Sequence, residues 1–420
     1  MQHIVVVGAG FAGLAAVRTL IQDRPESIKI SLIDQRNHHL FQPLLYQVAT
    51  AGLSPAEIAV PIRSVLRAGK RDVDVFMDKV TDVEVAKKRI KLASGATLDY
   101  DALILACGAS HSYFGRDEWE QYAPGLKTVE QATEIRRRIL RAFERAESTA
   151  DPTLRRELMT FVIVGGGPTG VELAGSIGEI SRQTLAKDFS RIEPSSARVV
   201  LIEAGNRILP SFSPELSRHA MRDLEKLGVT VWTSMRVTNI TAEGVELGGE
   251  FVKAKTVLWA AGVRAAAIGS NLGVPMDPQG RIEIDQFLRV KGIDDVFAVG
   301  DMARFVDEKL GVLPGLAPVA MQQGRWVARN VMLSLAKKPM QPFRYLDKGQ
   351  MATIGRKKAV SEFRGLKMSG VFAWYAWLVV HIYYLVGFRN RIFVMLQWFG
   401  SYVLFKRGAR LITDADWRNS

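Results

Sequence analysis

A glycine pattern that occurs twice, each time between an apolar strand and a helix, constrains the fold of this chain more than any other feature. The first copy is Gly8-x-Gly10-x-x-Gly13, which follows a β-branched run at residues 4–7. The first glycine permits a tight turn, the second lets the backbone approach a pyrophosphate, and the third lets a helix pack closely on a strand. The N-terminus of that helix offers N–H groups to phosphates. We therefore predict a dinucleotide site at this loop.

An acidic residue at the end of the next apolar run completes the pattern. Asp34 ends the segment ISLID and is followed by Gln35, where a carboxylate can accept hydrogen bonds from the adenosine ribose. Two ordinary parallel strands would also explain the apolar runs. They would not explain glycines and an acid in register.

The second copy is Gly165-x-Gly167-x-x-Gly170, and its second strand ends at Glu203. An acid at that position favours the free 2′-hydroxyl of NADH, because a carboxylate would repel the 2′-phosphate of NADPH. Arg207 lies four residues further on and leaves NADPH as the alternative, since an arginine there could bind the phosphate.

Two further segments resemble each other and indicate an internal duplication. Cys107-Gly108 and Ala261-Gly262 each follow an apolar strand. Cys107 is also the only cysteine, so one chain cannot form an internal disulfide, an iron–sulfur cluster or a cysteine zinc site. We interpret Cys107 as a small buried residue rather than a nucleophile, and with six histidines in the chain we predict no metal site.

A late apolar strand ending at Gly300-Asp301 supplies the third element. Paired glycine motifs with such a strand resemble the two-dinucleotide-domain flavoproteins of the glutathione-reductase-like fold. The resemblance implies non-covalent FAD at the first site, NAD(P)H at the second, and an Asp301 contact to the ribityl chain. The alternative for Asp301 is a purely structural role as the N-cap of a helix. The predicted cofactor-binding residues are Gly8, Gly10, Phe11, Ala12, Gly13, Asp34, Gln35, Cys107, Gly108, Gly165, Gly167, Gly170, Glu203, Gly262, Gly300 and Asp301.

The predicted fold class is α/β, with two Rossmann-like dinucleotide-binding domains and a C-terminal amphipathic membrane-anchoring helical region. We expect the FAD domain at residues 1–115 and 275–335, the inserted NADH domain at 116–274, and the anchoring region at 336–420.

The C-terminal region carries most of the net charge. Residues 337–420 contribute +11 of the formal +13, and no acidic residue lies between Glu362 and Asp414. That interval contains two apolar stretches, 371–388 and 392–405, with five interfacial aromatics and five basic flanking residues: Trp374, Trp377, Tyr383, Tyr384, Trp398, Arg389, Arg391, Lys406, Arg407 and Arg410. A bilayer core of about 30 Å needs about 20 helical residues. We predict helices lying in an anionic lipid surface; a membrane span, or a hairpin covering a dimer interface or the protein's own core, is the alternative.

The electron acceptor follows from the missing cysteine pair and the tail. Without a thiol relay the acceptor must take electrons from the flavin directly, and a lipid-dissolved quinone fits a membrane surface. At this point the chain resembles the type II NADH:quinone oxidoreductases, which are single-subunit and non-pumping, over essentially its whole length. The segments that carry the resemblance are HLFQPLLYQVATAGLSP at 39–55, GGGPTGVELAG at 165–175, LPGLAPVAMQQG at 313–324, GQMATIGRKKAV at 349–360 and the tail.

The resemblance also implies catalytic residues. Glu172 is expected to approach the nicotinamide and flavin, and Gln322 and Gln323 to hydrogen-bond the quinone or the flavin edge. Pro318 stands where the family's quinone motif has its first glutamine. The alternatives are a first-turn acid favoured by the helix dipole for Glu172 and ordinary first-turn polar residues for the two glutamines.

Two other functions stay open at this point: a soluble-type NAD(P)H flavoprotein reductase that donates to a ferredoxin-like protein, and a nucleotide-sensing scaffold without turnover. The N-terminus shows neither a charged leader nor a cleavage site, so we expect the chain to stay where it is made. We predict the cytoplasmic face of a bacterial inner membrane, with a quinone and anionic lipid as partners and no nucleic acid; formation of a homodimer is open.

Overall fold

The computed structural model describes residues 1–23, 27–66, 73–386, 391–396, 398 and 409–413. Within these ranges the α-helices are α1 (Phe11–Asp23), α2 (Leu45–Ala49), α3 (Pro55–Ile58), α4 (Ile62–Leu66), α5 (Val129–Ser148), α6 (Pro152–Leu158), α7 (Pro168–Glu179), α8 (Pro214–Lys226), α9 (Ala317–Leu335) and α10 (Gly370–Tyr384). Residues 391–396 are also helical. Most of the second predicted apolar stretch, with Arg389, Lys406 and Arg407, lies outside the described residues.

The strands within the same ranges are β1 (Gln2–Val7), β2 (Ile28–Asp34), β3 (His38–Leu40), β4 (Ala59–Pro61), β5 (Asp74–Met77), β6 (Val80–Glu84), β7 (Arg89–Leu92), β8 (Thr97–Asp99), β9 (Ala102–Leu105), β10 (Ala109–His111), β11 (Thr160–Val164), β12 (Arg198–Ile202), β13 (Val229–Trp232), β14 (Val237–Thr241), β15 (Gly244–Leu247), β16 (Glu250–Lys253), β17 (Thr256–Trp259), β18 (Val263–Ala265), β19 (Ile282–Glu283), β20 (Val296–Ala298), β21 (Ala303–Arg304), β22 (Val306–Asp307), β23 (Gly311–Val312), β24 (Gln350–Gly355), β25 (Lys358–Phe363) and β26 (Leu366–Ser369).

The chain forms two compact units. The first contains residues 1–40, 59–110 and 263–348, and the second contains residues 41–58, 111–262 and 349–420. Each is therefore assembled from three separate stretches of sequence.

The first unit is built on a five-stranded parallel sheet in the order β20-β9-β1-β2-β5. Residues 4–7 of β1 are buried, as expected for a strand with neighbours on both sides and helices on both faces. β1 pairs with β2 from Gln2↔Ile28 to Val7↔Ile33, so both strands end at the same edge of the sheet. The glycine loop after β1 and Asp34 at the end of β2 are thereby brought together.

The second unit repeats this arrangement in a four-stranded parallel sheet, β13-β12-β11-β17. β11 pairs with β12 from Thr160↔Arg198 to Val164↔Ile202, which places the second glycine loop beside the end of β12. A three-stranded antiparallel sheet, β14-β15-β16, accompanies it.

The C-terminal part of the second unit is a three-stranded antiparallel sheet, β24-β25-β26, followed by α10. α10 packs on this sheet through Ala373 and Trp374, which cluster with Ala359 of β25. α7 lies against β24, and a Cβ at Gly175 of α7 would overlap the carbonyl oxygen of Ile354, so this contact requires glycine.

No helix in the described part of the chain combines the length and the hydrophobicity needed to cross a membrane. α10 has 15 residues, and at 1.5 Å per residue it is shorter than the hydrocarbon core of a bilayer.

Candidate active site

The first glycine loop has the geometry of a phosphate-binding turn. The Gly8 N–H donates to the Ile33 carbonyl at 2.7 Å, and φ at Gly8 is +98°, which glycine adopts without strain. Side chains at Gly8 and Gly13 would overlap the carbonyl oxygens of Ala106 and Gly8, respectively. A Cβ at Gly10 would meet nothing within 4 Å, so the space beside the N-terminus of α1 is open to a phosphate.

The Asp34 carboxylate closes this loop. Its Oδ2 accepts a hydrogen bond from the Ala9 N–H at 2.6 Å, and its Oδ1 accepts one from the Arg36 N–H at 2.8 Å. Gln35 lies between Asp34 and Arg36 in the chain, and Phe11 and Ala12 belong to the first turn of α1. The carboxylate is thus fixed at the sheet edge where a ribose would lie.

The second glycine loop repeats these contacts. The Gly165 N–H donates to the Ile202 carbonyl at 2.7 Å, a Cβ at Gly170 would overlap the Gly165 carbonyl oxygen, and Gly167 has nothing within 4 Å. Glu203 takes the place of Asp34: its Oε2 accepts from the Gly166 N–H at 2.6 Å and its Oε1 from the Gly205 N–H at 2.6 Å. The two loops therefore share one construction.

The Arg207 guanidinium is engaged elsewhere. Its two terminal nitrogens each donate to a backbone carbonyl at 2.8 Å, that of Phe212 and that of Pro210. The Arg207 side chain therefore stabilises its own loop, and its charge is held by these carbonyls. The geometry thereby removes the main reason to expect a 2′-phosphate.

The turns at Cys107-Gly108 and Ala261-Gly262, which resemble each other in sequence, also have similar structures. The Ala106 N–H donates to Val7 in the first unit and the Ala260 N–H donates to Val164 in the second, at 2.8 and 2.7 Å. Gly108 and Gly262 both have positive φ, +68° and +84°. Burial raises the pKa of the Cys107 thiol to about 12, so this side chain is a thiol rather than a nucleophilic thiolate at neutral pH.

The loop after β20 lies against α1 and α9 in the first unit. The Gly300 N–H donates to Gln323 Oε1 at 2.7 Å, and Gln323 is 1% exposed. A Cβ at Gly300 would lie 3.4 Å from the Ala12 methyl, and one at Gly315 would lie 3.1 Å from the Asp301 carboxylate. Asp301 and the first glycine loop are therefore held in one cluster of the same unit.

Gln322 is bonded on both sides of its amide. Its Nε2 donates to the Leu346 carbonyl at 2.9 Å and its Oε1 accepts from the Leu346 N–H at 3.0 Å. One amide hydrogen and one acceptor lone pair remain for other partners. The predicted contacts of Gln322 and Gln323 with quinone or flavin stay predictions.

Within the second unit a cavity lies between α2, α7, β24 and the C-terminal aromatics. Its empty volume is about 550 Å³ including the solvent at its mouth. The lining combines two carboxylates of α7 with tryptophans and polar groups: Tyr46, Gln47, Gly52, Glu172, Ser176, Glu179, Thr353, Ile354, Gly355, Arg356, Trp374, Trp377 and Trp398.

Glu172 lies in this cavity, one turn from the start of α7. Burial raises the pKa of its carboxyl to about 8, and a hydrogen bond from the Thr353 backbone opposes that rise only in part. The side chain is therefore largely protonated at neutral pH. Glu179, two turns further along α7, accepts a hydrogen bond from the Arg356 N–H.

Aromatic stacking fixes the opposite wall. The rings of Trp377 and Trp398 lie 5.5 Å apart, and Trp398 Nε1 donates to Gln47 Oε1 at 2.8 Å. His381 stacks on Trp377 at 4.3 Å, and its Nδ1 donates to the Trp377 carbonyl at 2.7 Å. Burial lowers the pKa of His381 to about 4.

Comparisons with known proteins agree with this geometry. The family model described as pyridine nucleotide-disulphide oxidoreductase matches residues 2–324, and the NDH2 C-terminal domain model matches residues 348–407. A type II NADH:quinone oxidoreductase of Mycobacterium tuberculosis, Ndh, is 39% identical over 98% of this chain and 90% of the relative, and a second one, NdhA, is 42% identical over 98% and 89%. The chain belongs to the type II NADH:quinone oxidoreductase family.

Solved structures show the same fold. NDH2 from Plasmodium falciparum in complex with NADH has a TM-score of 0.88 at 20% identity and covers 98% of this chain and 100% of its own. A sulfide:quinone oxidoreductase from Aquifex aeolicus has a TM-score of 0.75 at 18% identity, with 96% and 95% covered.

The predicted family and α/β fold class are confirmed. The chain is a flavoprotein oxidoreductase that oxidises NADH and reduces a quinone, with FAD as its cofactor. The match of the C-terminal model at residues 348–407 separates it from the ferredoxin-reductase alternative.

Sequence reasoning missed part of the cavity lining. Tyr46, Gln47, Gly52 and Thr353 lie in the segments 39–55 and 349–360, which indicated only the family resemblance, and Ser176 carried no signal. The available signal was the resemblance itself, which marks these two segments without assigning a role to any residue of the cavity. His39 is the first residue of the segment 39–55.

Proposed function

We propose that the first glycine loop binds FAD and the second binds NADH. The open space at Gly10 and Gly167 and the fixed carboxylates of Asp34 and Glu203 fit two dinucleotides. The engagement of Arg207 with backbone carbonyls supports NADH over NADPH. The domain boundaries expected from the sequence, 1–115 with 275–335 for FAD, 116–274 for NADH and 336–420 for the anchor, belong to this proposal.

The proposed quinone site is the cavity of the second unit. The observation that carries this proposal is the course of α7, which begins at the second glycine loop and brings Glu172 opposite three tryptophans of the C-terminal region. An apolar aromatic slot with a few polar groups suits a quinone ring, which is flat and carries two carbonyl oxygens.

The overall reaction is NADH + H⁺ + quinone → NAD⁺ + quinol. When bound, FAD would supply the two-electron chemistry that links hydride removal from NADH to reduction of the quinone. The chain itself must hold and move protons. Glu172, protonated at neutral pH because its pKa is about 8, is the proposed donor to a quinone oxygen.

The other proposed contacts have supporting roles. Gln323 fixes the Gly300 peptide through its Oε1 and so orients the Asp301 turn. Gln322 holds the backbone at Leu346 and retains one donor and one acceptor for a quinone or flavin.

Membrane attachment is proposed through one face of α10. Ala373, Trp374 and Trp377 are buried, whereas a second set recurring at helical spacing is exposed: Phe372 at 82%, Tyr375 at 56%, Val379 at 63% and Tyr383 at 67%. An apolar face with interfacial aromatics and basic neighbours suits an anionic lipid surface. The cytoplasmic face of a bacterial inner membrane is the proposed location. Light scattering on the purified protein would determine whether it forms a homodimer.

The experiment that tests the quinone site compares two acceptors. Glu172→Gln should reduce kcat for a short-chain quinone about tenfold to hundredfold, while ferricyanide reduction, which needs no proton from the cavity, stays near the wild-type rate. Glu144→Gln, an exposed carboxylate on α5, is the matched control. Equal loss with both acceptors would place Glu172 in the NADH half-reaction and contradict the proposal.

A further inference from the structure

The Ala9 peptide groups in the first glycine loop are bonded on both sides. The Ala9 N–H donates to Asp34 Oδ2, and the Ala9 carbonyl accepts from Nδ1 of His39 at 2.9 Å. His39 is 2% exposed and lies on β3, with its ring edge against Phe11 at 5.2 Å. The imidazole therefore packs against the first glycine loop.

The second loop makes the same two bonds with a different donor. The Gly166 N–H donates to Glu203, and the Gly166 carbonyl accepts from the backbone N–H of Leu209 at 2.7 Å. A backbone donor survives almost any substitution. Only the first loop has a side chain, that of His39, as the donor to this carbonyl. The hydrogen bonds to the carboxylates of Asp34 and Glu203 are the same in the two loops.

The bond at the Ala9 carbonyl controls the next peptide N–H. A peptide unit is planar and trans, so its C=O and N–H point in opposite directions. Fixing the Ala9 carbonyl therefore fixes the Gly10 N–H. Gly10 is the position with open space around it, where a phosphate would lie.

The protonation state of His39 follows from its partner. A carbonyl oxygen only accepts, so Nδ1 carries the hydrogen. Nε2 is buried and has no hydrogen-bond partner among the described residues. A second proton on Nε2 would place an unbonded N–H in the interior, which favours the neutral ring. Burial lowers the pKa of His39; the charged or titratable groups around it are Arg18, Asp34 and His38.

We propose that His39 is a positioning residue for FAD, which acts through the Ala9 carbonyl to hold the Gly10 N–H toward the cofactor's pyrophosphate. This rests on the proposed assignment of the first loop to FAD. His39 replaces the backbone donor that the second loop uses, and it makes FAD retention, but not NADH binding, depend on one neutral imidazole.

The test uses the full-length holoenzyme and measures FAD release after dilution from the rise in flavin fluorescence. His39→Leu removes the donor and leaves the Ala9 carbonyl without its partner, so release should accelerate about tenfold to hundredfold. His39→Asn can present an amide N–H near the position of Nδ1 and should restore release to within about threefold of wild type. His39→Ala replaces His39→Leu if the leucine variant does not fold.

Two further readouts separate positioning from general loss of structure. With excess FAD, KM for NADH should be unchanged in all variants, because Leu209 holds the second loop. Because burial lowers the pKa of His39, FAD release from the wild type should accelerate only at a pH well below the ordinary histidine value of about 6.5. This acceleration should be absent in His39→Asn.

Three outcomes would overturn the inference: slow release from His39→Leu, equally fast release from the leucine and asparagine variants, or a parallel rise in KM for NADH. None of these affects the assigned activity. If the Gly10→Val variant instead retained as much FAD as the wild type, the assignment of the first loop to FAD would be wrong.

Discussion

Gly175 of α7 lies directly under the carbonyl oxygen of Ile354, in a contact that leaves no room for a methyl group. The same helix carries Glu172 and Ser176, and the same strand, β24, carries Thr353. One glycine thus sets the separation between two walls of the proposed quinone cavity.

Gly175→Ala should therefore damage the cavity more than the nucleotide sites. We expect a loss of about 1–3 kcal/mol in the free energy of unfolding from overpacking, together with a several-fold higher KM for quinone. KM for NADH measured with ferricyanide should change little, because the second glycine loop is outside the contact. A quinone KM equal to that of the wild type would show that β24 does not shape the site.

Glu172 should make the stability of the protein depend on pH in the neutral range. Its pKa is raised to about 8, so the folded protein holds a proton that the unfolded chain loses near the ordinary glutamate value. The buried Glu172 carboxyl therefore lowers the free energy of unfolding by an amount that is zero at low pH and grows as pH rises from about 4.3 to about 8. Glu172→Gln should remove this destabilisation, so the Tm of the variant should exceed that of the wild type increasingly across this window. A constant Tm difference from pH 5 to pH 8 would contradict the raised pKa.

His381 should produce a dependence of opposite sign. Its pKa is lowered to about 4, so the unfolded chain binds a proton first as pH falls. Its stabilising contribution is complete above about 6.5 and is lost progressively between about 6.5 and 4. His381→Phe keeps a ring against Trp377 and should reduce the fall of Tm as pH decreases. The control is His219→Phe, at a half-buried position on α8. Identical acid profiles for the wild type and His381→Phe would exclude this histidine as a cause.

The sequence predicts the two dinucleotide folds well because their signals are local. Glycines such as Gly8 and Gly165 must follow a strand directly, and the acids Asp34 and Glu203 must end the next parallel strand, so spacing along the chain translates into proximity at one sheet edge. The structure shows the same hydrogen bonds at both loops.

The cavity could not be predicted in this way, because its lining comes from segments far apart in the chain. Tyr46 on α2, Glu172 on α7, Thr353 on β24 and Trp398 meet only through tertiary packing. No periodicity or spacing in the sequence encodes that meeting. The bonds of Gln322 to Leu346 were equally invisible, since they depend on where the segment after α9 returns.

Glu203 and Asp34 offer a matched pair for testing nucleotide assignment. Each carboxylate accepts two backbone N–H bonds in its loop, and the corresponding amide would leave one of those donors without an acceptor. Glu203→Gln should raise KM for NADH about tenfold and reduce the preference for NADH over NADPH, while FAD stays bound. Asp34→Asn should weaken FAD binding and leave KM for NADH unchanged once FAD is in excess. Reversed effects would exchange the two loops.

The exposed face of α10 should determine lipid binding. Phe372 is 82% exposed, and transferring such a side chain from water to an apolar environment contributes about 1.5–3 kcal/mol. Phe372→Asp loses that transfer and adds a charge that anionic lipid repels, so affinity for vesicles containing acidic phospholipid should fall about tenfold or more in a flotation assay. Phe251→Asp is the matched control, because Phe251 is 47% exposed on β16 and distant in sequence from α10. Ferricyanide reduction by NADH should be normal in both variants. Equal flotation of Phe372→Asp and the wild type would mean that this face of α10 does not contact the membrane.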